Sequence, residues 1–276
     1  MEIPSSQTGS PIRVDAEVLE NVSLGPDQAK LVLAVPGWPG AEPGQFVMLS
    51  AGPQRGVAVT DPLLPRPMAV YRTRVGGEGP RIEILLRVAG RGTGLIAGAR
   101  PGERLRVVGP LGRAFPEPRS GARSVLVGGG TGIASLFELA AGAPPDADVR
   151  VILGARSEAE LLGRADFEAL ERPLTLTTED GSAGVEGRVT DALGPLLDAG
   201  GVDCVYACGP TPMMYACWKQ AERAGVACWV SLENNMACGF GVCLGCAAPL
   251  AAGGFALVCR DGPIFDAAQV DWKGLP

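Results

Sequence analysis

Four of the eight cysteines stand close together: Cys238, Cys243, Cys246 and, a little further on, Cys259, in the pattern C-x4-C-x2-C-x12-C. The opening C-x4-C-x2-C is the spacing of a plant-type ferredoxin loop, whose thiolates hold a 2Fe-2S cluster. Thiolates that converge on a compact anionic cluster force the chain to curl. Gly239, Gly241 and Gly245 supply residues that accept left-handed backbone at no steric cost. Amides in such a loop can point at sulfur and tune its charge. The competing reading is structural zinc, although zinc ribbons pair their ligands in two close C-x2-C units, which this spacing lacks. The other cysteines, Cys204, Cys208, Cys217 and Cys228, are scattered and read as small buried hydrophobes. The chain contains no histidine, so the commonest general base and the commonest metal-ligand type are both missing. Chemistry here calls for other ligands or a cofactor.

A second group is Gly128-Gly129-Gly130-Thr131-Gly132, which follows the apolar run Val125-Leu126-Val127. Strand, glycine turn, helix is the order that brings backbone amides to a pyrophosphate. A glycine run is also a common structural turn. Cys208-Gly209-Pro210-Thr211-Pro212 lies after another apolar strand. It reads either as a helix cap by Thr211 with Pro212 in the first turn, or as a ligand-facing edge of a parallel sheet. A third group is Arg66-Pro67-Met68-Ala69, where a rigidly placed arginine can clamp a diphosphate. Gly92-Thr93-Gly94 offers amides and a hydroxyl to the same diphosphate, if it is more than a loop. Gly109-Pro110-Leu111-Gly112 reads as a tight turn.

The elements that must position these groups fall into three stretches. Residues 11–118 hold short β-rich runs punctuated by Pro and Gly, at Lys30–Val35, Gln45–Leu49, Arg81–Val88 and Arg104–Val108. They predict a small antiparallel β-barrel. Residues 119–230 alternate strand and helix, which predicts a doubly wound parallel sheet. Strands are expected at 124–127, 149–153, 174–178 and 202–207. Helices are expected at 133–141, 158–171, 189–198 and 212–224. Residues 231–276 form a cysteine- and glycine-rich lobe. With 276 residues and 46% hydrophobic content the chain can bury such cores. The net charge of −6 and the absence of a basic face argue against nucleic acid. The short polar N-terminus shows no signal core, and no run of 18 apolar residues appears, so a cytoplasmic protein is expected.

Together these motifs resemble the iron–sulfur, FAD-containing electron-transfer subunits of NAD-dependent (class B) dihydroorotate dehydrogenases, within the ferredoxin–NADP reductase superfamily. Ser231–Cys238 and Cys259–Asp266 carry the resemblance most densely. It implies that Arg66, Pro67, Met68 and Ala69 match a flavin-binding Arg-Pro-x-Ser. It implies that Leu85, Leu86 and Arg87 form a second flavin-contacting stretch, and that Gly92 and Thr93 lie at the flavin diphosphate. It further implies that Gly128–Gly132, with Cys208 and Gly209, serve the dinucleotide, and that the four clustered cysteines ligate the 2Fe-2S cluster. Ala69 departs from the usual Ser or Thr. The implied activity is a relay from an FMN-containing, dihydroorotate-oxidising partner through 2Fe-2S and FAD to NAD+ in pyrimidine synthesis, in an assembly of two plus two subunits. A hydrogenase or ferredoxin-linked partner is the rival within the same chemistry, and a zinc-bound scaffold the rival outside it. Arg156-Ser157, after the strand ending near Leu153, could suit a ribose phosphate or could simply open a solvated loop.

Overall fold

The computed structural model describes residues 10–25, 27–51, 62–77 and 79–275. The first layer is a seven-stranded antiparallel sheet. Its strands are β1 (Ile12–Gly25), β2 (Gln28–Ala34), β3 (Phe46–Ala51), β4 (Arg66–Ala69), β5 (Arg72–Arg74), β6 (Arg81–Arg87) and β7 (Arg104–Leu111), in the order β4-β3-β7-β1-β2-β6-β5. Only Val70 and Tyr71 separate β4 from β5, although these strands occupy opposite edges of the sheet. Val70 N donates to Gln45 O at 3.1 Å and Tyr71 N to Glu83 O at 2.9 Å, so this two-residue link joins the edges and closes the roll. Alternate inward residues, among them Leu31, Leu33, Val47, Leu49, Ile82, Ile84 and Val107, fill it.

Two expectations are corrected in this layer. Gly92-Thr93-Gly94 is not a loop but the start of helix α1 (Arg91–Ala97). Thr93 Oγ1 accepts from Ala89 N at 2.9 Å and Gly90 N at 3.1 Å and donates to Gly90 O at 2.9 Å, so its hydroxyl is engaged in closing the helix start. Gly109-Pro110-Leu111 is not a turn either. It continues β7, with Ile12 paired to Gly109 and Phe46 to Leu111. The turn comes at Gly112, where φ is +76°.

The second layer is a parallel sheet of β8 (Arg123–Gly129), β9 (Asp148–Ala155), β10 (Leu174–Thr178), β11 (Val185–Glu186), β12 (Cys204–Cys208) and β13 (Ala227–Ser231), ordered β11-β10-β9-β8-β12-β13. Its central strands read as unbroken apolar runs because both faces are covered. Helices α2 (Phe137–Ala141) and α3 (Arg164–Glu168) cover one face, α4 (Val189–Asp198) and α5 (Thr211–Arg223) the other. The helix expected from Ile133 begins instead as a 3-10 turn, Gly130–Ser135, before the five-residue α2. The helix expected at 158–171 is likewise divided into a turn at Glu158–Glu160 and α3.

The C-terminal stretch forms the hairpin β14 (Ala247–Pro249) and β15 (Phe255–Leu257). It then returns β16 (Ile264–Asp266) to the large sheet, antiparallel to β13. The cysteine lobe is therefore stitched into the second layer. Among the described residues, no helix is long and apolar enough to cross a membrane.

Candidate cofactor and electron-transfer site

The strand order reverses direction around β8, with β9 on one side and β12 on the other. The carboxyl ends of β8 and β12 therefore flank the topological switch point, where open α/β sheets bind ligands. Gly128–Gly132 leave β8 there, and Cys208-Gly209 leave β12. The two segments press together: a Cβ on Gly132 would lie 2.5 Å from the Cys208 carbonyl. Glycine at this position is what lets the turn reach the strand edge.

Two adjoining cavities open at this point. The larger, about 660 Å³, runs over the parallel sheet and is lined by Gly129, Gly130, Thr131, Gly154, Arg156, Glu179, Arg188 and Gly209. Thr177, also on its wall, is fully buried, and its Oγ1 has no hydrogen-bond partner among the described residues. The smaller, about 510 Å³, lies between the barrel and the sheet. Its lining combines apolar side chains (Phe46, Met68, Leu85, Leu86, Met236) with a few convergent polar groups, which fits a planar flavin ring. Arg87, Thr131 and Glu233 line both cavities, so the two meet at these residues.

Of the residues expected at the flavin, Pro67, Met68, Ala69, Leu85, Leu86, Arg87 and Thr93 line the smaller cavity. Arg66 lies just outside that lining, with its guanidinium against Gly92. A Cβ on Gly92 would sit 2.6 Å from Arg66 Cζ, and Arg66 Nη1 donates to Leu64 O at 2.7 Å. The two halves of the expected diphosphate clamp are thus in contact. Gly128 is buried behind the turn, against Ile133, and lines neither cavity. Cys208 lines the smaller cavity; burial pushes its thiol up to about 12, so it stays a neutral thiol.

The four clustered cysteines come together in two pairs. Cys246 Sγ lies 3.2 Å from Cys259 Sγ, and Cys238 is hydrogen-bonded to Cys243. Among the described residues, no three Cys, His, Asp or Glu side chains converge on a point where a single ion could sit. Two thiolate pairs are the donor set of a two-iron cluster. Backbone amides aim at these sulfurs: Gly241 N donates to Cys259 Sγ at 3.1 Å and Cys259 N to Cys246 Sγ at 3.4 Å. Burial raises the Cys238 thiol, but bonds from the amides of Cys243, Phe240 and Val242 outweigh it and bring the value down to about 6. Gly239 and Gly241 take φ of +87° and +84°, as the curl requires. Gly245 does not; Leu244 carries the third left-handed position at φ +59°. Cys243 is exposed while Cys246 and Cys259 are buried, so the loop runs from the surface inward.

Ser231–Cys238 carries the resemblance densely, but the resemblance assigns no role to its first six residues, Ser231–Met236. Those six residues form one wall of the smaller cavity. Met236 lies in that wall and Cys238 follows two residues later, so one continuous segment joins flavin cavity to cluster loop. Glu233 is exposed where it borders both cavities, and partial desolvation by the walls around it raises its carboxyl above the ordinary value. Its place directly after the apolar run Cys228–Leu232 was the available signal.

Comparison with known proteins agrees with this geometry. The family model for the iron-sulfur cluster binding domain of dihydroorotate dehydrogenase B matches residues 233–271, and that for the oxidoreductase NAD-binding domain matches residues 126–219. The chain is 37% identical over 236 residues to the dihydroorotate dehydrogenase B (NAD(+)) electron transfer subunit of Geobacillus thermodenitrificans, covering 83% of this chain and 86% of that one. It is 36% identical over 263 residues to the corresponding subunit of Caldanaerobacter subterraneus subsp. tengcongensis, covering 94% and 98%. Among solved structures, the NADH-dependent reduced ferredoxin-NADP oxidoreductase superposes with a TM-score of 0.80 at 30% identity, covering 94% of this chain and 90% of that one. Fold, paired cysteines and sequence agree, and the chain belongs to the family of dihydroorotate dehydrogenase B (NAD(+)) electron transfer subunits.

Proposed function

We propose that this chain carries electrons between the FMN of a dihydroorotate-oxidising partner subunit and NAD+, through a 2Fe-2S cluster and FAD, in pyrimidine synthesis. The observation that carries this reading is the order of the sites along one path. The paired cysteines, the flavin-shaped cavity and the dinucleotide cleft adjoin in that sequence, and Met236 and Glu233 mark the two joints. When bound, the cluster supplies a one-electron relay and FAD the exchange between single electrons and a hydride.

The chain's own residues position these groups. Cys238, Cys243, Cys246 and Cys259 would together ligate the cluster, with loop amides compensating the thiolate charge. Arg66 and the start of α1 at Gly92 hold the flavin diphosphate, while Pro67–Ala69 and Leu85–Arg87 border its ring. Gly129–Gly132 and Gly209 let a dinucleotide approach the backbone closely at the switch point. Cys208 borders the flavin cavity, and Glu233 stands where that cavity meets the dinucleotide cleft. The barrel (11–118), nucleotide layer (119–230) and cluster lobe (231–276) are the corresponding functional divisions. All eight cysteines are free, which suits a reducing cytoplasm.

The partner is an FMN-containing dihydroorotate dehydrogenase catalytic subunit, in an assembly of two plus two. The test is co-purification from the native cell under anaerobic conditions, followed by an assay of dihydroorotate-dependent NAD+ reduction. Activity that tracks a co-purifying flavoprotein supports the proposal. A yellow-brown, NADH-oxidising protein without dihydroorotate dependence assigns the chain to a different redox partner.

A further inference from the structure

Ser135, Cys208 and Ser231 line the smaller cavity from the side of the parallel sheet, and all three are buried, at 5%, 2% and 4% exposure. Taking a hydroxyl out of water is unfavourable unless a partner replaces the lost hydrogen bonds. Here both serines find the same partner, the Cys208 thiol.

Two separate features of the fold bring them to it. The register of β12 on β13 sets Cys208 beside Ser231, and Cys208 Sγ lies 3.9 Å from Ser231 O, within reach of a sulfur donor. Ser135 arrives from the turn after β8, which is 3-10 from Gly130 to Ser135. At three residues per turn, positions i and i+3 eclipse, so Ser135 stands on the same face as Gly132. Gly132 is packed on the Cys208 carbonyl with no room for a Cβ, and the residue one turn later meets the Cys208 side chain. In an α-helix the same two positions would stand about 60° apart, and the serine would be turned off the thiol.

Burial, and then Glu233, raise the Cys208 thiol, while the Ser135 and Ser231 hydroxyls act in the opposite sense by donating to sulfur. The thiol accepts from these hydroxyls and donates to a carbonyl, which fixes its rotamer and the direction of its S–H bond. Gly209, the next residue, lines the larger cleft, so Cys208 stands between the flavin cavity and the dinucleotide cleft.

We propose that Ser135 and Ser231 are positioning residues for flavin reduction: their hydroxyls lock the Cys208 thiol in one orientation on the wall of the flavin cavity. The inference rests on the smaller cavity being the flavin site.

The test uses the protein loaded with FAD and cluster. The infrared S–H stretching band that disappears in Cys208→Ala reports this thiol directly. Ser135→Ala is expected to shift and broaden that band. It is also expected to slow anaerobic flavin reduction by NADH roughly tenfold, with the NADH dissociation constant unchanged. In the Cys208→Ala background the same substitution causes no further slowing. Ser231→Ala gives the same pattern, and decides the matter if Ser135→Ala does not fold. An unchanged S–H band overturns the proposal, as does equal slowing with and without Cys208, which is the signature of a merely structural serine. If Cys208→Ala leaves both the flavin absorption spectrum and the reduction rate at wild type, the flavin does not lie beside Cys208, and that reading of the cavity falls together with the proposal.

Discussion

Tyr71 Oη donates to Asp166 Oδ2 at 2.8 Å, joining the link that closes the barrel to helix α3 of the parallel-sheet layer. The next two residues repeat the connection. Arg72 Nη2 lies 2.8 Å from Asp166 Oδ1, with its guanidinium over the Phe137 ring at 4.2 Å, and Thr73 N donates to Glu138 Oε1 at 2.8 Å. Three consecutive barrel residues thus grip α2 and α3, and this grip sets how the flavin cavity faces the dinucleotide cleft. Burial, and then Asp166, hold the Tyr71 phenol well above its ordinary value, so it remains a donor throughout the accessible pH range.

Tyr71→Phe removes a hydrogen bond to a charged acceptor and is expected to cost about 1.5–3 kcal/mol of stability. Urea unfolding of the loaded protein measures it. A midpoint equal to wild type would show that the grip contributes nothing.

Glu138 gives a pH-dependent prediction. Burial raises its carboxyl, against weaker lowering by the Thr73 amide and Arg72. A carboxylate whose folded value is raised destabilises the fold above that value and ceases to do so once protonated. Glu138→Gln keeps an acceptor for Thr73 N and removes the charge. It is expected to raise the melting temperature at pH 8, with the gain shrinking as pH falls through the carboxylate range. A gain independent of pH would contradict this.

Gly92→Ala places a methyl group 2.6 Å from Arg66 Cζ. The guanidinium is the far end of a flexible side chain, so it moves aside and the helix survives. The expected result is FAD affinity lowered on the order of tenfold, about 1.4 kcal/mol, with an unchanged melting temperature after flavin removal. Flavin retention on a desalting column reads the first quantity, and full retention sinks the clamp.

Ala69 lines the flavin cavity where a hydroxyl would fit the resemblance. Ala69→Ser restores a hydrogen bond worth about 1 kcal/mol, equivalent to roughly fivefold in rate. Stopped-flow reduction by NADH is expected to accelerate by that factor; no change would mean that the backbone already serves the ring.

Where apolar pattern and burial agree, the sequence was readable. The strand at 174–178 and the helix at 189–198 lie where the pattern places them: Leu174 and Leu176 pack into the core on one face of the sheet, Leu193 and Leu197 into the core on the other. The cysteine set was readable because ligand spacing is a local property. Local signals failed where tertiary contacts decide. Gly109-Pro110 has the composition of a turn, yet β1 and β3 hold it in the sheet. The glycine run suggested a helix start, but the 3-10 turn Gly130–Ser135 intervenes because Gly132 must pack on the Cys208 carbonyl. Leu244, with its Cβ, was no candidate for a left-handed position that the cluster loop imposes. Glu233 follows a readable apolar strand, but its role shows only where the two cavities, built from distant segments, meet beside it.

The central claim is that the paired cysteines relay electrons and the flavin–dinucleotide end works independently of them. Cys243 is exposed, so Cys243→Ser removes a thiolate without opening a core. Two rates measured side by side decide the matter: NADH oxidation by ferricyanide, and dihydroorotate-dependent NAD+ reduction in the assembled complex. The account predicts that the variant, with FAD still bound, keeps the first and loses the second. Loss of both rates with flavin retained, or retention of both, would contradict it.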